Sequence, residues 1–325
     1  MSLKKVIACL KENKSFFITT HTNVEGDALG SELSFCMLLQ AMGKKVFIFN
    51  QELPPQEYLF LPGIEAVQKL SRRASKLKFD IFAAVDCSNL KRTGEVYKIN
   101  DGNKAILNID HHISNSGFGS INWIDSQASC CCEMIYRLYK ELKIPISREV
   151  ALLLYSGIVT DTGSFRYSNT NKIVHRITAE LLRHKINVAE IYQSLYQNIP
   201  FGDIKLLVNL LSDIQTDRSK RIVWFRIPGK ILKKADLSVD LSDYILNFGR
   251  QVRDVEVILL FKENSAGKNE VKVSFRSQGK VDVNTIAGFF GGGGHKSASS
   301  CTVSGNLLQA QQKVLKKVKE SLAKK

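Results

Sequence analysis

Acidic and histidine residues close four separate apolar runs in this chain. His21, Glu25 and Asp27 follow SFFITT, and Asp86 closes FDIFAAVD. Asp110, His111 and His112 follow KAILNI, and Asp161 follows ALLLYSGIVT. Open α/β sheets place ligands outside the carboxyl ends of their strands, so four such segments can meet at one point. Carboxylates and imidazoles gathered that densely repel and desolvate one another unless cations lie among them. The simplest account is a two-metal site, and two-metal sites hydrolyse phosphate esters.

Each segment has an ordinary structural alternative. Asp27 starts a helical pattern, and its plain structural alternative is an N-cap. A cap does not explain a His and a Glu before it on the same loop, where Gly26 allows a tight turn between the two acids. Asp86 alone is a turn former; its position after the most apolar strand lets it bridge two cations. Two consecutive histidines after an aspartate are hard to explain as packing, and adjacent imidazoles can divide tasks, one on metal and one on substrate. Asp161 ends a helix-like run, where the macrodipole opposes a carboxylate unless something local compensates.

Further along, Phe289-Phe290-Gly291-Gly292-Gly293-Gly294-His295 offers backbone N–H groups for an anion-binding concavity, against the plain reading of a turn. Arg276 and Ser277 end a nearby strand, and Arg suits bidentate phosphate recognition. His175 and His184 read as surface-helix residues, and Arg72 and Arg73 as solvated.

These residues need strands to present them. Ser15–Thr20, Val46–Asn50, Phe79–Val85 and 105–109 are short, apolar and rich in β-branched or aromatic residues. Helical spacing covers Asp27–Met42, Gln127–Leu142 and Arg148–Thr160, and the alternation predicts a mainly parallel, doubly wound α/β sheet. Residues 1–186 form this domain. Residues 187–212 are helical but interrupted by Pro200 and Gly202, and read as a linker. Residues 213–325 carry the strands 221–227, 255–262, 271–276 and 298–303 and a last helix, a smaller α+β domain.

The chain's 325 residues suit two domains, and 44% hydrophobic content is that of a globular protein. No run reaches the roughly 18–20 apolar residues that span a bilayer. The basic start MSLKKVIACLKENKS reads as an amphipathic helix rather than a signal peptide. Seven cysteines form no CxxC pair, which fits a reducing cytoplasm, and Cys130, Cys131 and Cys132 read as small buried residues near a helix start. The net charge of +15 favours an anionic partner, although many lysines lie on the last helix and read as a solvated face.

In order, HTNVEGDALGSE, VDCS, IDHHISN and GIVTDTGSFRYS resemble the four motifs of the DHH phosphoesterases. SFRSQGKVDVNTIAGFFGGGGHKSAS resembles their C-terminal DHHA1 domain. The resemblance spans nearly the whole chain, and its length and domain content are most similar to the NrnA-type oligoribonuclease and pAp phosphatase group. It implies that His21, Glu25 and Asp86 hold one metal, and that Asp27, Asp86, His111 and Asp161 hold the other, with Asp86 bridging. It implies that His112 contacts the scissile phosphate, with Asp86 and Asp110 as its catalytic companions. Arg276, Ser277, Gly291, Gly292, Gly293, Gly294 and His295 would bind substrate from the second domain across an inter-domain cleft. The family usually has Asp where this chain has Glu25, a residue one methylene longer.

The expected enzyme uses two divalent ions, Mn²⁺ first and Mg²⁺ or Co²⁺ as alternatives. It cleaves short RNA oligonucleotides to mononucleotides, with 3′-phosphoadenosine 5′-phosphate (pAp) as a second substrate. The alternative is a phosphodiesterase for cyclic di-AMP or linear dinucleotides. The contrasting class is a non-catalytic nucleotide- or RNA-binding protein, against which intact Asp27, Asp86, His111 and Asp161 argue. A homodimer is within expectation; a membrane partner is not.

Overall fold

The computed structural model describes residues 3–100, 102, 104–234, 241–264 and 269–323. The chain divides into two compact units, Met1–Asn198 and Ile199–Lys325.

The first unit contains α1 (Leu3–Glu12), β1 (Ser15–Thr19), α2 (Gly26–Ala41), β2 (Lys45–Asn50), β3 (Val67–Lys69), β4 (Ile81–Val85), β5 (Ala105–Asp110) and β6 (Ile121–Ile124). It continues with α3 (Cys131–Leu142), α4 (Arg148–Asp161), α5 (Lys172–Leu182) and α6 (Val188–Tyr196). Its sheet has the order β3-β2-β1-β4-β5-β6, and every pairing is parallel. The order reverses between β1 and β4, which makes the carboxyl ends of those two strands the switch point where such sheets bind ligands.

Both faces of this sheet are buried, which is why its strands are continuously apolar. Phe16, Ile18, Ala83, Val85, Leu107 and Ile109 face the helices. Phe17, Phe49 and Phe82 stack on the other face, with centroids 5.6 and 5.4 Å from Phe17. That second face is covered by short 3-10 stretches, Ala74–Lys76 and Leu90–Ile99, with Ala74 and Val96 in its core.

The second unit contains α7 (Phe201–Ser212), β7 (Gln215–Thr216), β8 (Ile222–Ile227), α8 (Gly229–Lys234), α9 (Ser242–Gly249), β9 (Val257–Glu263) and β10 (Glu270–Ser277). α10 (Val283–Phe289), β11 (Gly293–His295), β12 (Ala298–Ser304) and α11 (Leu307–Ala323) complete it. The sheet order is β11-β12-β10-β9-β8-β7. Only β8 and β9 pair in parallel among these strands. α10 and α11 cover one face, where Val271, Val273 and Phe275 pack with Val314 and Val318. α7 and α9 cover the other face only over β8 and β9. Among the described residues no helix is long and apolar enough to cross a membrane.

Candidate metal centre

The loop after β1 presents His21, which is buried. Its Nδ1 lies 2.8 Å from the carbonyl of Thr22. Donating there assigns the ring proton to Nδ1 and leaves Nε2 as the lone-pair nitrogen, the tautomer a metal ligand needs. Nε2 faces Asp86 Oδ2 at 3.5 Å. Asp86 follows β4 directly and adopts a left-handed backbone, φ 54°, a conformation uncommon outside glycine and found where a site demands it. Its N–H donates to Ile109 O at 2.9 Å, which anchors the turn to β5.

Asp27 is not an N-cap. The α2 N-cap position belongs to Glu25, which is exposed and makes no side-chain cap bond. Asp27 instead reaches the N-terminus of α3, where its two oxygens accept from Cys131 N at 2.7 Å and Cys132 N at 2.8 Å. The orphan amides and the dipole at that helix end favour a carboxylate. Glycine makes this approach possible. A Cβ on Gly157 of α4 would lie 2.2 Å from Cys132 Sγ and 3.0 Å from Asp27 Oδ1, and one on Gly30 would lie 2.6 Å from Leu153 O. The close packing of α2, α3 and α4 brings Asp161, the last residue of α4, to the same point. Asn169 Nδ2 donates to its Oδ2 at 3.1 Å.

His111 Nε2 is the centre of a carboxylate ring. It lies 3.5 Å from Asp86 Oδ1, 3.8 Å from Asp27 Oδ2 and 3.9 Å from Asp161 Oδ2. Sets of ligand atoms within 4.8 Å of one another include His21–Glu25–Asp86, Asp27–His111–Asp161, Asp27–Asp86–Cys131 and Asp86–Asp110–His112. Burial holds the Asp27 carboxyl up at about 7. Burial first, and then the charge of Asp27, push Asp86 well above the ordinary carboxylate range. Three buried polar atoms, His21 Nε2 and both oxygens of Asp86, have no hydrogen-bond partner. Orphaned buried acceptors are costly. Divalent cations satisfy this acceptor-only set, and the residues present fit them. All six predicted ligands converge here.

Asp110 and His112 form a different unit. Asp110 Oδ1 lies 2.7 Å from His112 Nδ1. Asp110 Oδ2 accepts from Asn115 Nδ2, which also donates to Asn108 Oδ1 at 2.8 Å. Asp110 therefore fixes the His112 tautomer and supports its charged form, in the manner of a carboxylate behind a general acid. His112 Nδ1 also lies 3.5 Å from Asp86 Oδ1.

In the second unit, Ala298 of β12 is flanked by His295 on β11 and Arg276 on β10. Residues opposite each other in antiparallel strands share a face. His295 and Arg276 therefore stand on one level of the half-exposed face, two strands apart, with a small residue between them. Arg276 Nη2 donates to Asp243 Oδ1 at 3.0 Å. Ser277 is not on this face. It is buried, and its hydroxyl accepts from Gly279 N at 3.2 Å and Val281 N at 3.3 Å. The glycine run is also more structured than a free concavity. Gly291, at φ 75°, ends α10 with the paired bonds of a Schellman turn, Gly291 N to Gly288 O and Gly292 N to Ala287 O. A Cβ on Gly292 would lie 2.1 Å from Ser300 O, and Gly293 and Gly294 pair with β12.

Asn108, Asn115, Asn169 and the Cys131 and Cys132 amides hold the ligands in place and are not singled out by sequence reasoning. The available signal was local for Asn115, which closes IDHHISN; the others reveal themselves only in the fold. Cys130, Cys131 and Cys132 are buried at the start of α3, with Cys130 as its N-cap. His175 is exposed on α5 and His184 follows that helix.

Residues 15–158 match the DHH family, N-terminal domain, and residues 227–324 match the DHHA1 domain. The chain is 32% identical over 313 residues to the bifunctional oligoribonuclease and PAP phosphatase NrnA of Thermus thermophilus, covering 95% of this chain and 90% of that protein. It is 27% identical to the protein of the same name from Mycoplasma pneumoniae, covering 98% of this chain and 95% of that one. An exopolyphosphatase-related protein from Bacteroides fragilis has a similar structure, with a TM-score of 0.86, 25% identity, and coverage of 99% of this chain and 95% of that one.

Proposed function

The chain belongs to the DHH family, and we propose that it is a Mn²⁺-dependent phosphodiesterase that hydrolyses short RNA oligonucleotides to mononucleotides and also dephosphorylates pAp. One observation carries the reading. Buried His21 Nε2 and Asp86 Oδ1 and Oδ2 lack hydrogen-bond partners at the switch point of a parallel sheet, inside a ring of further carboxylates and imidazoles. The relatives' names supply the substrate class: oligoribonuclease and PAP phosphatase.

His21, Glu25 and Asp86 would hold one ion, and Asp27, Asp86, His111 and Asp161 the other. The mixed imidazole and carboxylate set suits Mn²⁺, with Mg²⁺ and Co²⁺ as alternatives. Such ions supply a nucleophile at neutral pH and charge stabilisation for the phosphoryl group. His112, with Nδ1 held by Asp110, presents Nε2 to give a proton to the leaving oxygen. Arg276 and His295 bind a phosphate of the substrate other than the one cleaved. The first unit thus carries the metal chemistry and the second the substrate contacts.

A side-by-side assay with Mn²⁺ and with EDTA tests this. A ribodinucleotide, a longer RNA, pAp and cyclic di-AMP are compared. Mn²⁺-dependent release of mononucleotide, fastest from the dinucleotide and present with pAp, is expected. Preference for cyclic di-AMP replaces the substrate assignment, and no release from any of the four rejects the enzyme.

A further inference from the structure

Arg92 lies on the Leu90–Ile99 stretch, six residues beyond Asp86. Its carbonyl accepts from Thr22 N at 2.8 Å, which pins it to the loop that presents His21. Its Nη1 donates to Ser88 Oγ at 3.3 Å, two residues past Asp86. The side chain thus runs between the two loops that carry His21 and Asp86. It is half-buried. Among the described residues no carboxylate lies within ion-pair distance of it, whereas Arg137, Arg221, Arg226 and Arg276 each have one. A guanidinium has five N–H donors, and a single neutral hydroxyl leaves most of them uncommitted.

We propose that Arg92 is a phosphate-binding residue of the metal centre, taking non-bridging oxygens of the phosphoryl group that is cleaved. The inference rests on the phosphodiesterase reading above for the identity of that group. A half-buried cation with no ion-pair partner among the described residues lies beside an acceptor-rich centre, and a phosphate is the anion whose geometry matches its fork.

The role differs from that of Arg276. Arg92 would act on the reacting phosphate, so its loss is felt by every phosphodiester, including bis-p-nitrophenyl phosphate. It differs too from a loop-holding role. A nearby cation repels Mn²⁺, so removing it leaves Mn²⁺ affinity unchanged or tighter, whereas a loosened His21 loop weakens it.

The test uses the full-length Mn²⁺-loaded protein with Arg92→Gln and Arg92→Lys. The Gln variant is expected to lose roughly 10–150-fold in kcat/KM on both a ribodinucleotide and bis-p-nitrophenyl phosphate, the value of a lost charge-assisted contact. The Lys variant recovers part of that loss. Mn²⁺ titration by electron paramagnetic resonance should show unweakened binding in both. Calorimetric titration of inorganic phosphate into the loaded protein should show weaker binding in Arg92→Gln by a similar factor. Mn²⁺ affinity falling in step with activity, or unchanged kcat/KM on both esters, overturns the proposal. If the wild type hydrolyses nothing, the phosphodiesterase reading fails, and the phosphate titration still decides: equal phosphate affinity in wild type and Arg92→Gln rejects the site, and weaker affinity in the variant supports it.

Discussion

The fully buried carboxylate of Asp110 holds His112, its Oδ1 lying 2.7 Å from His112 Nδ1, while the ring's neighbour His111 turns its Nε2 toward three other carboxylates. Two adjacent imidazoles are thereby committed to different work by their partners. Asp110→Asn keeps the shape but can no longer support a charged imidazole. We expect kcat to fall on the order of 10²–10⁴-fold with Mn²⁺ content unchanged. A variant that loses Mn²⁺ in parallel would place Asp110 among the metal ligands instead.

Glu25 is the exposed member of the ligand set and sits at the α2 N-cap without a cap bond. Glu25→Asp should retain activity, because the loop before α2 can adjust by one methylene. Glu25→Ala should lose most activity and bind one Mn²⁺ more weakly. An alanine variant with wild-type rate and metal dependence would remove Glu25 from the first site.

Gly157→Ala tests the packing that delivers Asp27 and Asp161. Its methyl would lie 2.2 Å from Cys132 Sγ and 3.0 Å from Asp27 Oδ1. Overpacking of this kind costs about 1–3 kcal/mol. Urea unfolding should show that loss, and Mn²⁺ binding should weaken because Asp27 is displaced. Unchanged stability and metal affinity would mean that the helices have slack the structure does not show.

Glu32 provides a pH test away from the ligands. It is fully buried, accepts from Asn50 Nδ2 at 2.8 Å, and burial lifts its carboxyl to about 8 from an ordinary 4.5. The folded state therefore binds a proton that the unfolded state has released. Stability from this group is complete below about 4.5 and is lost as pH rises toward 8. Glu32→Gln should flatten the fall in unfolding free energy across that window and gain stability relative to wild type at its upper end. An identical pH slope in wild type and variant would contradict a neutral Glu32.

Much of the centre was legible because its residues follow strands buried on both faces, where an acid or a histidine stands out against a continuous apolar run. SFFITTH, FAAVD and LNIDHH carry that contrast. The rest depended on contacts distant in sequence. Asp27 stood out as a ligand with a cap as the plain alternative, and only the fold shows its carboxylate on amides 104 and 105 residues away. β3 and β6 are edge strands of three and four residues, too short to show a period. The 3-10 layer over Phe17 and Phe82 has no periodicity to detect. GGGGH suggested free amides, but glycine there also serves a left-handed helix end and a close approach to β12. Arg276 and Ser277 are adjacent in sequence, and the pleat sends them to opposite faces.

The second unit's shelf predicts a substrate-dependent effect. Arg276→Ala and His295→Ala should each reduce kcat/KM on a ribodinucleotide by roughly 10–150-fold if a charged phosphate contact is lost. Bis-p-nitrophenyl phosphate, which lacks a second phosphate, should change far less. Equal losses on the two substrates would place these residues in the fold or the metal chemistry.

The central claim is that Asp86 would hold both metal ions, since its Oδ2 faces His21 Nε2 and its Oδ1 faces His111 Nε2, each at 3.5 Å. Counting Mn²⁺ bound per chain in wild type and Asp86→Asn, alongside hydrolysis of a ribodinucleotide, measures this directly. Two ions in the wild type, with occupancy of both sites weakened and hydrolysis abolished in a folded variant, is the predicted result. A variant that keeps two tightly bound ions, or more than a small fraction of wild-type turnover, would contradict it.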